Sequence, residues 1–328
     1  LNMSYPVNWG VWPAVILFFT FAWFELAYSA PAIPSKIAIA ALCYSLISWI
    51  GMTIFGRTVW LRHGEVFSVI FRVFAKFAPT QVVVTDTKIC DGCPIDCKAT
   101  DGVCVECHEC FGKAERNRRG IKLRHYGSGL LVTNGVTKSM VVFVILLLST
   151  VTFDGFLATP AWGWIYRTLF GNVEDPVFVV TLGLIICPII LMLAYLSTIR
   201  IIYKMVGHEG RNLAYEFVFS LVPIALAYHL AHYISFFIVQ GQRIIPLLSD
   251  PFGMGWDLLN TSDFQINISV VDARFAWIVA VSVIVIGHIF AVFISHILAL
   301  RIYGQRRKAV TSQYPMVLLM LTYTILSL

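Results

Sequence analysis

Charge is what this chain has least of. Asp, Glu, Lys and Arg make up only 13% of its 328 residues, where a soluble domain carries about a quarter. Hydrophobic residues reach 58% and the mean hydropathy is +0.79. A chain so poor in charge cannot give an ordinary folded domain a water-facing coat, so the composition points to a membrane protein. There is no Gly-x-x-x-x-Gly-Lys-Ser/Thr loop, which argues against ATP-driven transport within the chain. There is no Gly-x-Ser-x-Gly turn, which argues against a serine hydrolase. Internal repeats and low-complexity tracts are also missing. The apolar stretch 11–29 has neither the basic flank nor the small-residue cleavage site of a signal peptide. The excess of 24 Lys and Arg over 18 Asp and Glu is mild. It fits basic loops at a membrane face, and no nucleic-acid partner is expected.

Long apolar runs are abundant. About 20 such residues cross a bilayer as a helix. The runs 11–29, 37–55, 140–157, 177–203, 213–239 and 275–300 qualify, and 315–328 opens another. The expected fold class is therefore an all-α integral membrane protein with about seven transmembrane helices and a small Cys-rich metal-binding knob. The chain begins at Leu1 rather than Met, and its last apolar run is still open at Leu328, so a piece of a longer protein is expected. Residues 1–80 read as two spans plus an interfacial amphipathic helix at 65–78. There, Val66, Phe67, Val69, Ile70, Val73, Phe74 and Phe77 recur at near-helical spacing. A short helix packed on the bundle is the alternative for that stretch. Val82 to Val84 suit a short strand. Residues 81–137 form the knob, and 138–328 a bundle of about five helices with a long connection at 240–274. The aromatic stretch 162–170 looks interfacial, and Pro188 is a candidate kink.

Lys and Arg concentrate after the second span, at 200–211 and at 301–308. The connections 29–36, 158–176 and 240–274 are poorer in them, and the last carries Asp250, Asp257, Asp263 and Asp272. By the positive-inside rule the knob is expected to be cytoplasmic and the 240–274 connection extracytoplasmic.

Eight cysteines are present, and six fall between Cys90 and Cys110. Cys43 and Cys187 sit alone in apolar runs and read as inert core residues. The six follow the pattern Cys90-x2-Cys93-x3-Cys97-x6-Cys104-x2-Cys107-x2-Cys110, with His108 and His125 nearby. Each Cys-x-x-Cys turn can bring two thiolates onto one ion, and two turns make the four-sulfur cage that zinc prefers. Cys90, Cys93, Cys107 and Cys110 give the most ribbon-like site, leaving Cys97 and Cys104 for a second site or a ligand exchange. A structural zinc is expected, with an iron–sulfur cluster or disulfides as alternatives. So short a knob needs a staple of this kind.

The other polar feature lies inside the spans. Tyr228-His229-Leu230-Ala231-His232-Tyr233 places two imidazoles three residues apart on one helical face. Ionisable groups in hydrocarbon are costly, which makes them functional candidates. Counting about 1.5 Å per helical residue, Glu25, Asp154, His229, His232 and His288 reach similar depths in the outer half of the bundle, with His296 deeper. Histidine with carboxylate suits a divalent metal that activates water, so a second divalent metal in the bundle is expected alongside the one in the knob. The same residues can instead relay protons, make plain interhelical hydrogen bonds, or, as a histidine pair, hold a haem.

Several stretches carry a resemblance. They are Arg57-Thr58-Val59-Trp60-Leu61-Arg62-His63-Gly64-Glu65, Leu146-Leu147-Leu148-Ser149-Thr150-Val151-Thr152-Phe153-Asp154-Gly155 and Leu221-Val222-Pro223-Ile224-Ala225-Leu226-Ala227-Tyr228. Gly241-Gln242, Ile244-Ile245-Pro246-Leu247-Leu248-Ser249-Asp250-Pro251 and Ser312-Gln313-Tyr314-Pro315-Met316 belong with them. Together they resemble a bacterial multi-pass membrane-protein family labelled fenitrothion hydrolase, a membrane-bound organophosphorus hydrolase. The resemblance covers most of the chain, knob included. It implies a bacterial inner-membrane location and hydrolysis of lipophilic phosphotriesters or related esters. His232, His288 and His296 fit the family pattern better than His229. In this reading His232 and His288 bind metal and Asp154 is a ligand or general base. The competing expectation is a transporter, or a non-catalytic subunit of a membrane complex, using the same His/Asp set as an ion or proton path. The expected partners are the lipid bilayer and, in that second case, other subunits of the complex.

Overall fold

The structure, a computed structural model, describes residues 3–90, 103–171, 173, 175–207, 210 and 212–327, less the side chains of Thr87, Cys90, His108, Leu326 and Ser327. Among the described residues six helical stretches are long and apolar enough to cross a membrane: Val7–Leu26, Pro34–Phe55, Lys138–Leu157, Pro176–Val206, Leu213–Ser249 and Ala273–Tyr303. The expected seventh run also folds as a helix, Arg306–Ser327, and packs in the same bundle. It is not one of the six, because its first turns carry Arg306, Arg307, Lys308 and the polar Thr311-Ser312-Gln313.

The first two spans are α1 (Trp12–Leu26) and α2 (Pro34–Phe55), each begun by a proline whose missing N–H costs nothing in a first helical turn. Gly56, at φ 87°, ends α2 and starts the short α3 (Arg57–His63). Next comes α4 (Val66–Ala75). Its Val66, Val69 and Val73 are buried against the bundle, which bears out the spacing read from the sequence. Glu65 caps α4, accepting from Phe67 N at 3.1 Å and Ser68 N at 2.6 Å.

The knob follows. Its strands are β1 (Thr80–Val84), β2 (Cys104–Val105) and β3 (Arg119–Leu123), antiparallel and in the order β2-β1-β3. The short helices α5 (Thr87–Cys90) and α6 (His108–Lys113) complete it. Arg124 ties the knob to the end of α4. It donates to the carbonyls of Ala75 (2.8 Å) and Ala78 (2.9 Å) and pairs with Glu106 at 2.5 Å.

Helix α7 (Lys138–Leu157) is the hub, with 13 of its 20 residues buried. Around it pack α1, α9 (Pro176–Val206), α11 (Val222–Gln240) and α14 (Arg306–Ser327). The long α13 (Ala273–Tyr303) lies between α11 and α14. The expected interfacial segment is the helix α8 (Pro160–Phe170). Helix α9 runs on through Pro188. The stretch 213–239 is not one helix. It breaks into α10 (Leu213–Phe217), a 3-10 turn at Val218–Leu221 and then α11, with Pro223 in the first turn of α11. The 240–274 connection contributes one further short helix, α12 (Ile244–Ser249).

Apart from α7, the spans bury little of themselves. On α2 only Ser48 and Gly51 are buried, while Ile39, Leu42, Trp49 and Ile50 stand exposed. Such a surface is untenable in water and ordinary in lipid. Backbone groups in these helices are satisfied within each helix, which is the condition for crossing hydrocarbon.

Candidate functional site

Two groups of chemically able side chains emerge, near opposite ends of α7. The first is in the knob. Cys104 is the first residue of β2 and lies opposite Val84 of β1. The chain then turns through Glu106 at φ 56°. Cys107 caps α6, and Cys110 follows three residues later on that helix. All three cysteines are buried, and their sulfurs lie within 4.8 Å of one another. Among the described residues this is the one group of three or more potential ligands close enough to hold a metal ion. Cys110 Sγ also lies 3.9 Å from the carbonyl of Ile89, which links α6 to α5.

Of the two places left open for Cys104, a second site or a ligand exchange, the geometry fits the exchange: strand pairing carries Cys104 onto the sulfurs of Cys107 and Cys110. Cys93 and Cys97 lie outside the described residues, and of Cys90 only the backbone is described, as the end of α5. His125 is exposed at the edge of the sheet. Three sulfurs at this separation fit a soft or borderline metal and leave one tetrahedral position for a fourth ligand.

The second group is at the other end. Asp154 lies about 25 Å along α7 from its first residue. His232 of α11 meets it, with Nε2 2.8 Å from Asp154 Oδ2. Tyr233 OH lies 3.4 Å from Glu25 Oε1 and 3.5 Å from Asp154 Oδ2, long contacts that bring the end of α1 into the cluster. One hydroxyl proton can serve only one carboxylate at a time. Side-chain exposure is 36% for His232 and 23% for Asp154, so the pair is open on one side. Among the described residues His232 Nδ1 makes no hydrogen bond. The two histidines of α11 therefore part company. His229 Nδ1 is turned to its own helix, 2.8 Å from Ala225 O, with its ring edge-on to Phe74.

His288 does not join this pair. Its Nδ1 lies 2.8 Å from Ile284 O, and its Nε2 lies 2.5 Å from Thr324 Oγ1 of α14. Its ring packs edge-on to Tyr228. Both nitrogens of His288 are thus engaged away from Asp154 and His232. His296 is half-buried about 12 Å further along α13. The donor set expected for a divalent metal in the bundle is thus not gathered, and Asp154 and His232 are bonded to each other instead. Sequence reasoning overlooked the hydroxyl of Tyr233, although it is next to His232 and is the group that links the two acids.

Towards the knob, beyond Ser149, Thr150 and Thr152, the buried face of α7 is apolar from Leu148 back to Val141. Val141, Phe143, Val144, Ile145, Leu146, Leu147 and Leu148 are all buried. A void lined by Ile145, Leu148, Leu191, Tyr195, Leu221, Ile224, Leu319, Met320 and Tyr323 holds only about 10 Å³, barely the minimum for one water. Compared with protein-family models, curated proteins and solved structures, the chain matches none.

Proposed function

We propose that the chain is a membrane-embedded hydrolase of lipophilic phosphotriesters or related esters, with His232 as general base and Asp154 as the residue that orients it. The observation that carries this reading is the 2.8 Å contact between His232 Nε2 and Asp154 Oδ2, open on one side. A carboxylate on one ring nitrogen fixes the tautomer and stabilises the imidazolium, so the other nitrogen can take a proton from water. The water oxygen attacks the ester centre, the bond to the leaving group breaks, and the proton on His232 passes to the leaving oxygen. Lipid around the exposed spans concentrates an apolar substrate beside the pair. The apolar run Val141 to Leu148 favours a site that ends here over a proton path along α7, because a relay needs polar groups or water along its length.

The test is turnover of a nitrophenyl phosphotriester by the full chain in nanodiscs. H232Q and D154N are expected to lower kcat by about 10²–10⁴-fold, the usual worth of general base catalysis. H296Q is expected to keep wild-type turnover. No hydrolysis above the buffer rate, or unchanged turnover in H232Q, removes the hydrolase reading. Proton flux in proteoliposomes abolished by D154N would replace it with the relay.

We also infer that the knob holds a structural zinc through Cys104, Cys107 and Cys110, with a fourth sulfur from Cys90, Cys93 or Cys97. Metal analysis is expected to give one zinc per chain, lost in C104S, C107S and C110S and kept in C43S and C187S. Iron with inorganic sulfide would mean a cluster instead. The Lys and Arg of the loops around the knob support a cytoplasmic position for it.

A further inference from the structure

A cavity of about 80 Å³ lies where α3, α4, the knob and the start of α7 meet. That is several times the room one water needs. Its wall carries Arg62 and His63 from α3, Arg72 from α4 and Lys76 just beyond it. All four are half-buried. The one acid on the wall, Glu106, is paired with Arg124. Thr137, the N-cap of α7, is also on the wall, so the partial positive charge of that 20-residue helix falls on the same space. Two of the basic groups are held by aromatic neighbours. Lys76 Nζ lies 4.9 Å from the centre of the Phe219 ring, and Tyr5 stacks on His63 at 4.9 Å. The Asp154–His232 pair is far off, near the other end of α7.

We propose that this cavity binds a phosphate group. Two guanidinium forks and an ammonium converging on one small space, beside a helix N-terminus, match the several oxygens and the negative charge of phosphate. The group can belong to a soluble phosphate or to the headgroup of an anionic phospholipid at the membrane face. The chemistry of recognition is the same for both.

Thermal unfolding of the full chain in nanodiscs tests this, with two probes. One is inorganic phosphate added to nanodiscs of neutral lipid. The other is phosphatidylglycerol built into the nanodisc at increasing fraction. The wild type and R57Q, whose side chain is exposed outside the cavity, are expected to gain Tm saturably with at least one probe. R72Q and K76Q should need about tenfold more of that probe, the loss of roughly one charged hydrogen bond. R72K, which keeps the charge without the fork, should fall between and shows whether R72Q has simply misfolded. A response to inorganic phosphate in neutral lipid assigns a soluble ligand, and a response to phosphatidylglycerol alone assigns a headgroup. No saturable response to either probe, or equal responses in wild type, R72Q and K76Q, overturns the proposal.

Discussion

At Gly287 α13 packs close against α11, and the position offers a sharp test of the packing. A Cβ at this position would lie 2.4 Å from the Cβ of Ala227 and 2.9 Å from the carbonyl oxygen of Pro223. Carbon atoms are comfortable at about 3.5–4.0 Å, so G287A must push the two helices apart by roughly 1 Å. Overpacking of this kind costs about 1–3 kcal/mol. The better helix propensity of Ala returns up to about 1 kcal/mol. Because the obstacles are a Cβ and a backbone carbonyl, which cannot rotate away, the upper part of the range applies, and a net loss of about 1–2 kcal/mol is expected. Gly163 of α8 is the control: a Cβ there meets nothing within 4 Å. G163A should therefore stabilise by about 0.5–1 kcal/mol. Both are read as Tm changes of opposite sign in nanodiscs of one composition. The double variant A227G/G287A should recover only part of the loss, since the Pro223 carbonyl remains. The reasoning fails if G287A melts at or above the wild type, or if A227G and G287A are simply additive. His232 is five residues beyond Ala227 on α11, so a shift of this helix should also loosen the contact with Asp154.

Two more predictions concern single carboxylates. Asp257 accepts from Ser249 Oγ at 2.8 Å, Ser262 Oγ at 2.9 Å, Thr261 N at 2.7 Å and Ser262 N at 3.1 Å. These bonds, that from Ser249 first, hold its carboxyl below the ordinary range. A lowered folded-state value means the stabilisation is full above the unfolded carboxyl value of about 3.9 and is lost as pH falls through the folded one. Proteolysis within 240–274 should accelerate as the pH drops below about 4, and D257N should be cut quickly at neutral pH as well. Glu65, 8% exposed, caps α4 and also takes the hydroxyl of Tyr44. E65A should lower stability by at least about 2 kcal/mol in thermal unfolding, E65Q and Y44F by less.

The spans were legible because hydrophobic burial in lipid is a property of composition over about 20 residues, and that survives any detail of packing. Their ends were less so: α9 runs to Val206 rather than 203, and the stretch 213–239 breaks at Val218–Leu221. Pro223, in the first turn of α11, was the one local mark of that break, and it went unread. The pairing of Asp154 with His232 was readable because depth adds up residue by residue along a helix. The departure of His288 was not. At a given depth the direction a side chain faces is set by which helix packs beside it. Here that is α14, whose Thr324 takes His288 Nε2. The place of Cys104 in the set was left open by spacing for a related reason. Spacing rules describe ligands brought together by a local turn, but Cys104 reaches its neighbours through strand pairing with Val84.

Helix α7 explains why one short chain can hold such different devices as an acid–base pair, a sulfur cluster and a cationic cavity. Its first turn borders the cavity beside the knob, and its last turn carries Asp154. Between them Val141 to Leu148 are buried but for Val142, which is half-buried, and are without an ionisable group. That is about 10 Å of close-packed apolar side chains, within the roughly 25 Å that separates the two ends. Effects of changes more than about 10 Å apart are normally additive. A fault at the cysteines can therefore reach Asp154 only by unfolding the bundle. That makes global stability the quantity to hold fixed when turnover and metal content are compared.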